Sequence, residues 1–146
     1  MSINMPFNLY QLAYTSTSLH DFKKEDLTLL LNKSRSANME ASLTGVLLYK
    51  SDQFLQVLEG DKSKVTELFN KIKNDTRHYD VNIIFENSIL VKTFPDWSMG
   101  LGISVEDEDL SKDPTCFNLV SIIPFCVRSL STSSVLLKHL ILFLNK

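Results

Sequence analysis

QFLQVLEG, residues 53–60, decides the fold and also poses the functional question. Successive side chains of a strand point to opposite faces, so Phe54, Gln56 and Leu58 share one face and Leu55 and Val57 the other. Both sets are largely apolar. A sheet wetted on one side alternates apolar with polar, so this strand reads as covered on both faces. In its middle Gln56 carries a primary amide with two donors and two acceptor lone pairs. Burying an amide without partners costs about 1–3 kcal/mol. Gln56 therefore needs partners, from the protein or from a ligand.

Working outward, LTGVLLYK (43–50) is a strand rich in branched residues, and SDQ (51–53) is a tight connection that makes QFLQVLEG its hairpin partner. LYQLAYTS (9–16) is an earlier strand with Tyr10, Leu12 and Tyr14 on one face. KKEDLTLLLNKSRSAN (23–38) sets Leu27, Leu30, Leu31 and Ser34 along one helical stripe. Asp61 is placed to N-cap a second helix, DKSKVTELFNKIKND, whose stripe is Val65, Leu68, Phe69 and Ile72. VNIIFENSILV (81–91) supplies another strand, and KTFPDWSMG (92–100) leads into a short last one. The order β-α-β-β-α-β plus a fifth strand predicts an α+β, ferredoxin-like mixed sheet with both helices on one face.

The second face falls to the C-terminal tail. EDEDL (106–110) reads as a solvated linker and Asp113–Pro114 as a helix start. TCFNLVSII (115–123) and SSVLLKHLILFLNK (133–146) read as two short helices too apolar for solvent. They are expected on the open sheet face or against another subunit. The domain reading is residues 1–105 as the main domain and 106–146 as an acidic linker and helical extension.

The 146 residues suit one domain with a proper core. A net charge of −2 gives no electrostatic reason to expect nucleic acid or an anionic membrane as partner. Cys116 and Cys126, without CxxC spacing, read as structural thiols. MSINMPFNLYQLAYT lacks the pattern of a signal peptide, and VLLKHLILFL is far short of the roughly 20 apolar residues of a membrane span. A cytoplasmic protein is expected.

Familiar catalytic patterns are missing: no Walker loop, GxGxxG, HExxH or GxSxG. His20, His78 and His139 lack ligand spacing, so no metal site is expected, and the stacking pattern of an RNA-binding ferredoxin-like domain is absent. What remains is a set of polar groups among apolar elements: Tyr14, Gln56, Asn38, Asp75, Arg77 and His78. Helix ends and a strand interior can border one cleft, with Leu30 and Ile72 flanking a flat heterocycle. A plainer account fits most of these residues singly: Tyr14 as core with its hydroxyl at the rim, Asn38 as a helix C-cap, Asp75 and Arg77 as a surface ion pair, Trp97 and Met99 as packing. For Gln56 a ligand cleft and a satisfied structural amide both stand.

LAYTS (12–16), SRSAN (34–38), LTGVLLY (43–49), FLQVLEG (54–60), NDTRHYDV (74–81) and FPDWSMG (94–100) together resemble the BLUF family of flavin-binding blue-light sensors, in its order and spacing. The resemblance covers residues 9 to about 103 and implies a flavin, FAD first with FMN or riboflavin as alternatives, held between the two helices. It implies that Tyr14 and Gln56 are the photoactive pair. Asn38, Asp75, Arg77, Leu30 and Ile72 would contact the flavin, with Phe54, Ser34 and His78 as lesser contacts, and Trp97 and Met99 would relay the signal. Ala37 stands where many members have a second polar residue, and Leu30 replaces a frequent isoleucine. In such a sensor the excited flavin draws an electron and a proton from Tyr14, and Gln56 is left rotated or tautomerised. The tail helices are then expected to change on illumination. A short sensor that signals by contact, through self-association or a protein partner and not by its own catalysis, is the implied whole. A cofactor-free interaction module and a flavin oxidoreductase are the alternatives.

Overall fold

The computed structural model describes residues 8–20, 22–103, 116–129 and 132–146. Strand β1 (Leu9–Ser18) is followed by α1 (Lys24–Glu40), the hairpin β2 (Thr44–Lys50) and β3 (Gln53–Asp61), α2 (Lys62–Lys73) and β4 (His78–Ser88). Two short strands, β5 (Gly100–Ile103) and β6 (Cys116–Asn118), precede α3 (Ile122–Arg128) and α4 (Ser134–Leu144). The six strands form one mixed sheet in the order β4-β1-β3-β2-β5-β6. β3 lies antiparallel between β1 and β2, whereas β5 runs parallel to β2. The hairpin turns on Ser51 and Asp52, both at positive φ, the twist that two-residue hairpin loops favour.

One sheet face carries Tyr10, Leu12, Tyr14, Phe54 and Leu58 against Leu27 and Leu31 of α1 and Val65 and Phe69 of α2. Both helical stripes read from the sequence therefore point inward. The other face carries Ala13, Val46, Leu48, Leu55 and Val57 against Ile122 and Cys126 of α3 and Leu136, Leu140 and Phe143 of α4. The tail covers the second face of its own sheet, as the non-alternating strand demanded. Cys116 and Cys126 form no disulfide among the described residues. Among the described residues no helix is long and apolar enough to cross a membrane.

Three expectations need correction. TCFNLVSII is not one helix: Cys116–Asn118 pair with β5 as a sixth strand, a tight turn follows, and the helix starts at Ile122. Pro124 sits inside α3, where its missing N–H is among the first-turn donors that have no intrahelical partner anyway. The strand expected at 81–91 spans His78–Ser88, because it follows β1, with register shifts between Ala13 and Tyr14 and between Thr15 and Thr17. Asn38 is no C-cap, since α1 continues to Glu40. The linker 106–110 and the helix start at Asp113–Pro114 lie outside the described residues.

Candidate functional site

Register across three strands places Tyr14 opposite Gln56 and Gln56 opposite Leu47, all on the face covered by α1 and α2. Tyr14 is 3% exposed and Gln56 5%. The Tyr14 hydroxyl donates to Gln56 Oε1 at 2.5 Å. Gln56 Nε2 donates to Met99 Sδ at 3.6 Å, and a thioether is a weak acceptor. Of four possible hydrogen bonds the amide thus makes one good one and one poor one among the described residues. Its remaining capacity borders a cavity.

That cavity, about 370 Å³, lies between α1, α2 and the sheet. Leu30, Leu47, Phe54, Leu68 and Ile72 form apolar walls, while Ser34, Asn38, Gln56, Asp75 and Arg77 provide polar edges. Mostly apolar walls with a few placed polar groups are what a flat heterocycle requires. All ten residues expected to contact flavin or form the photoactive pair line it: Tyr14, Leu30, Ser34, Asn38, Phe54, Gln56, Ile72, Asp75, Arg77 and His78. Sequence reasoning missed Phe22, Lys33, Leu47, Leu68 and Lys71, and Ala37, noted there as lacking the polar group of other members, lines the cavity too. Leu47 was recoverable, because the hairpin register sets it beside Gln56.

Asn38, 1% exposed, donates from Nδ2 to the Ser98 carbonyl at 2.5 Å. His78 sets one ring nitrogen 2.8 Å from Ser16 Oγ and the other 2.7 Å from the Ile72 carbonyl, so its ring, not a free nitrogen, faces the cavity. Arg77 forks onto Asp75, with Nε 3.0 Å from Oδ1 and Nη2 2.5 Å from Oδ2. That pair holds the Asp75 pKa down at about 2. Burial, aided by the Asp75 charge, pushes the Tyr14 phenol well above its ordinary range and keeps it a neutral donor.

Because the Asp75 pKa is depressed, the pair stabilises the fold above the ordinary value of 3.8, and this is lost as pH falls towards 2. Partial exposure limits the effect to about 1 kcal/mol or less. Thermal unfolding of the wild type and Asp75→Asn should therefore differ at neutral pH and converge near pH 2. Curves that stay parallel across that window would refute the coupling.

The expected relay pair is split across the sheet. Met99 is fully buried against Gln56, on the cavity face. Trp97 lies on the other face, its ring 5.8 Å from Phe94, 5.4 Å from Phe117 and 4.8 Å from Phe125 of α3. Gly100 and Gly102 leave room for this stack: a Cβ on either would come within 2.7–2.8 Å of the Trp97 or Phe117 ring.

The sequence matches the family described as "BLUF: Sensors of blue-light using FAD" over residues 9–100. The chain belongs to the BLUF family. Among curated relatives, a photoactivated adenylate cyclase subunit beta of Euglena longa is 30% identical over 125 residues, which are 85% of this chain and 14% of that protein. The alpha subunit of Euglena gracilis is 39% identical over 77 residues, 53% of this chain and 8% of that one. The chain thus spans only a small part of these curated relatives. Two solved structures match over nearly their whole length. The dark state of BlrB, a BLUF protein, is 28% identical with a TM-score of 0.66, covering 91% of this chain and 98% of that one. The photo-activated state of BlsA is 26% identical with a TM-score of 0.64, covering 86% and 96%. As a BLUF chain, this protein is of the flavin-based blue-light photoreceptor type.

Proposed function

We propose that residues 1–105 sense blue light through a flavin seated between α1 and α2, and that 106–146 carry the response to a protein partner or a second copy. The observation that carries this reading is the Gln56 amide, bonded to Tyr14 and only weakly to Met99 at the wall of an apolar cavity. Leu30 and Ile72 would sandwich the ring, Asn38 would meet its polar edge, and Asp75 and Arg77 would close the rim. Lys33 and Lys71 line the same cavity and suit a phosphate-bearing flavin, FAD or FMN, better than riboflavin. The bound flavin supplies blue-light absorption and an electron and proton acceptor near Tyr14.

Tyr14 holds its proton toward Gln56 Oε1, so the pair is set as donor and acceptor before illumination. Turning the amide about its last torsion would bring Nε2 to the Tyr14 oxygen and Oε1 to the Met99 sulfur. Carbonyl oxygen and thioether sulfur are both acceptors, so that contact is unfavourable. Met99 is then the first protein group pushed to move. A contact signal of this kind needs no catalysis by the chain itself, and a cytoplasmic setting is part of the same reading.

A visible spectrum before and after blue light tests the proposal. The purified protein should be yellow, with a small, reversible red shift. A protein that stays colourless with excess FAD or FMN refutes it. In Tyr14→Phe the flavin should remain and the light-induced shift should vanish, while leaving the buried Gln56 Oε1 without its donor lowers stability by about 1–3 kcal/mol. A difference spectrum of that variant matching the wild type would remove Tyr14 from the mechanism.

A further inference from the structure

Three residues beyond Gln56, β3 carries a carboxylate that the photochemistry does not use. Glu59 is 0% exposed and lies on the opposite sheet face from Gln56, in the row of Leu55 and Val57. Its Oε2 accepts the Thr93 N–H at 2.8 Å, its Oε1 accepts the Phe94 N–H at 2.7 Å, and Gln11 Nε2 donates to Oε2 at 2.7 Å. Gln11 is the Glu59 partner in register on β1 and is 1% exposed. Burial raises the Glu59 pKa, and the three donors and Lys92 oppose that rise.

A buried carboxylate is a poor stabiliser compared with an apolar side chain of its size. It is a good anchor, because two main-chain N–H groups on two different oxygens require both to be acceptors. The ionised acid satisfies them best, since its two oxygens are equally strong acceptors and a hydroxyl oxygen is a weaker one. The segment so anchored, Thr93–Met99, is held at its far end through its carbonyls: Trp97 by Gly45 N–H at 2.9 Å, Ser98 by Asn38, and Met99 by Arg35 Nε at 3.0 Å. The far anchor itself contains the residue that touches Gln56, Met99, and the ring that stacks on α3, Trp97.

We propose that Glu59 is a positioning residue for the photoresponse: its carboxylate sets the 93–99 strap so that Met99 meets Gln56 on one sheet face and Trp97 meets Phe125 on the other. Movement begun at Met99 then reaches the C-terminal helices as one displacement of the strap. This rests on the sensor reading above and adds the residue that holds its output path in place.

Trp97 is the single tryptophan of the chain, so its emission reports the strap directly. The test uses the flavin-loaded full chain and compares the flavin red shift with the light-minus-dark change in Trp97 emission. Glu59→Gln presents an NH₂ to one of the two main-chain N–H groups. It is expected to keep the flavin and the red shift while the Trp97 change falls below about half of the wild-type value. Glu59→Asp, which keeps both acceptor oxygens, should restore part of it. Should Glu59→Gln fail to fold, Gln11→Met removes one donor and leaves the backbone bonds, and a smaller loss in the same direction is expected. A full Trp97 response in the folded variant overturns the proposal, as does a wild-type Trp97 emission that ignores light. Loss of the red shift with flavin still bound also overturns it, since Glu59 would then act in the switch itself. A wild type without any red shift refutes the sensor reading instead.

Discussion

Gln56→Leu is expected to yield a flavin-loaded protein whose spectrum no longer answers blue light, with the shift reduced by about tenfold or more. Leucine fills a similar volume but offers neither donor nor acceptor, so nothing remains for Tyr14 and the cavity to exchange. The Tyr14 hydroxyl loses its only acceptor among the described residues, costing about 1–3 kcal/mol, partly offset by the apolar side chain. Flavin content should hold, because the other cavity walls are untouched. Spectra recorded before and after illumination decide the matter. A variant that cycles with an unchanged shift would take the amide out of the switch.

Leu140→Ala carries the largest expected effect on stability. Leu140 of α4 is fully buried against the second sheet face. Truncation leaves a cavity there and should lower the unfolding free energy by about 2–5 kcal/mol, which for a chain of this size lowers Tm by roughly 10 °C. Leu142, two residues on and 51% exposed, is the control, and its alanine variant should stay within about 0.5 kcal/mol of the wild type. Calorimetry that finds equal effects at both positions would show that α4 does not sit on the sheet in solution.

The demand for cover on both faces of β3 was legible because Leu55 and Val57 leave no polar row, and α3 and α4 supply that cover. The cavity was legible through Gln56, whose amide has no ordinary place in a core strand. β6 was not legible: three residues paired with β5 carry no periodicity, and their apolar neighbours read as helix. Glu59 was overlooked for a different reason. It continues the row of Leu55 and Val57, so its burial follows from period two, yet its partners are main-chain groups more than 30 residues away that no local pattern announces. The split of Met99 and Trp97 across the sheet likewise depends on how the strap turns, which local spacing does not determine.

β3 is a partition one residue thick, with the cavity on its even-numbered side and the C-terminal helices on its odd-numbered side. The odd side, Glu59 excepted, can therefore be redesigned by substitution to dock a foreign helix pair while the side chains that line the cavity stay in place. A single-codon insertion just before Gln56 would reverse the facing of the strand beyond it, turning the glutamine toward the tail and a valine toward the cavity.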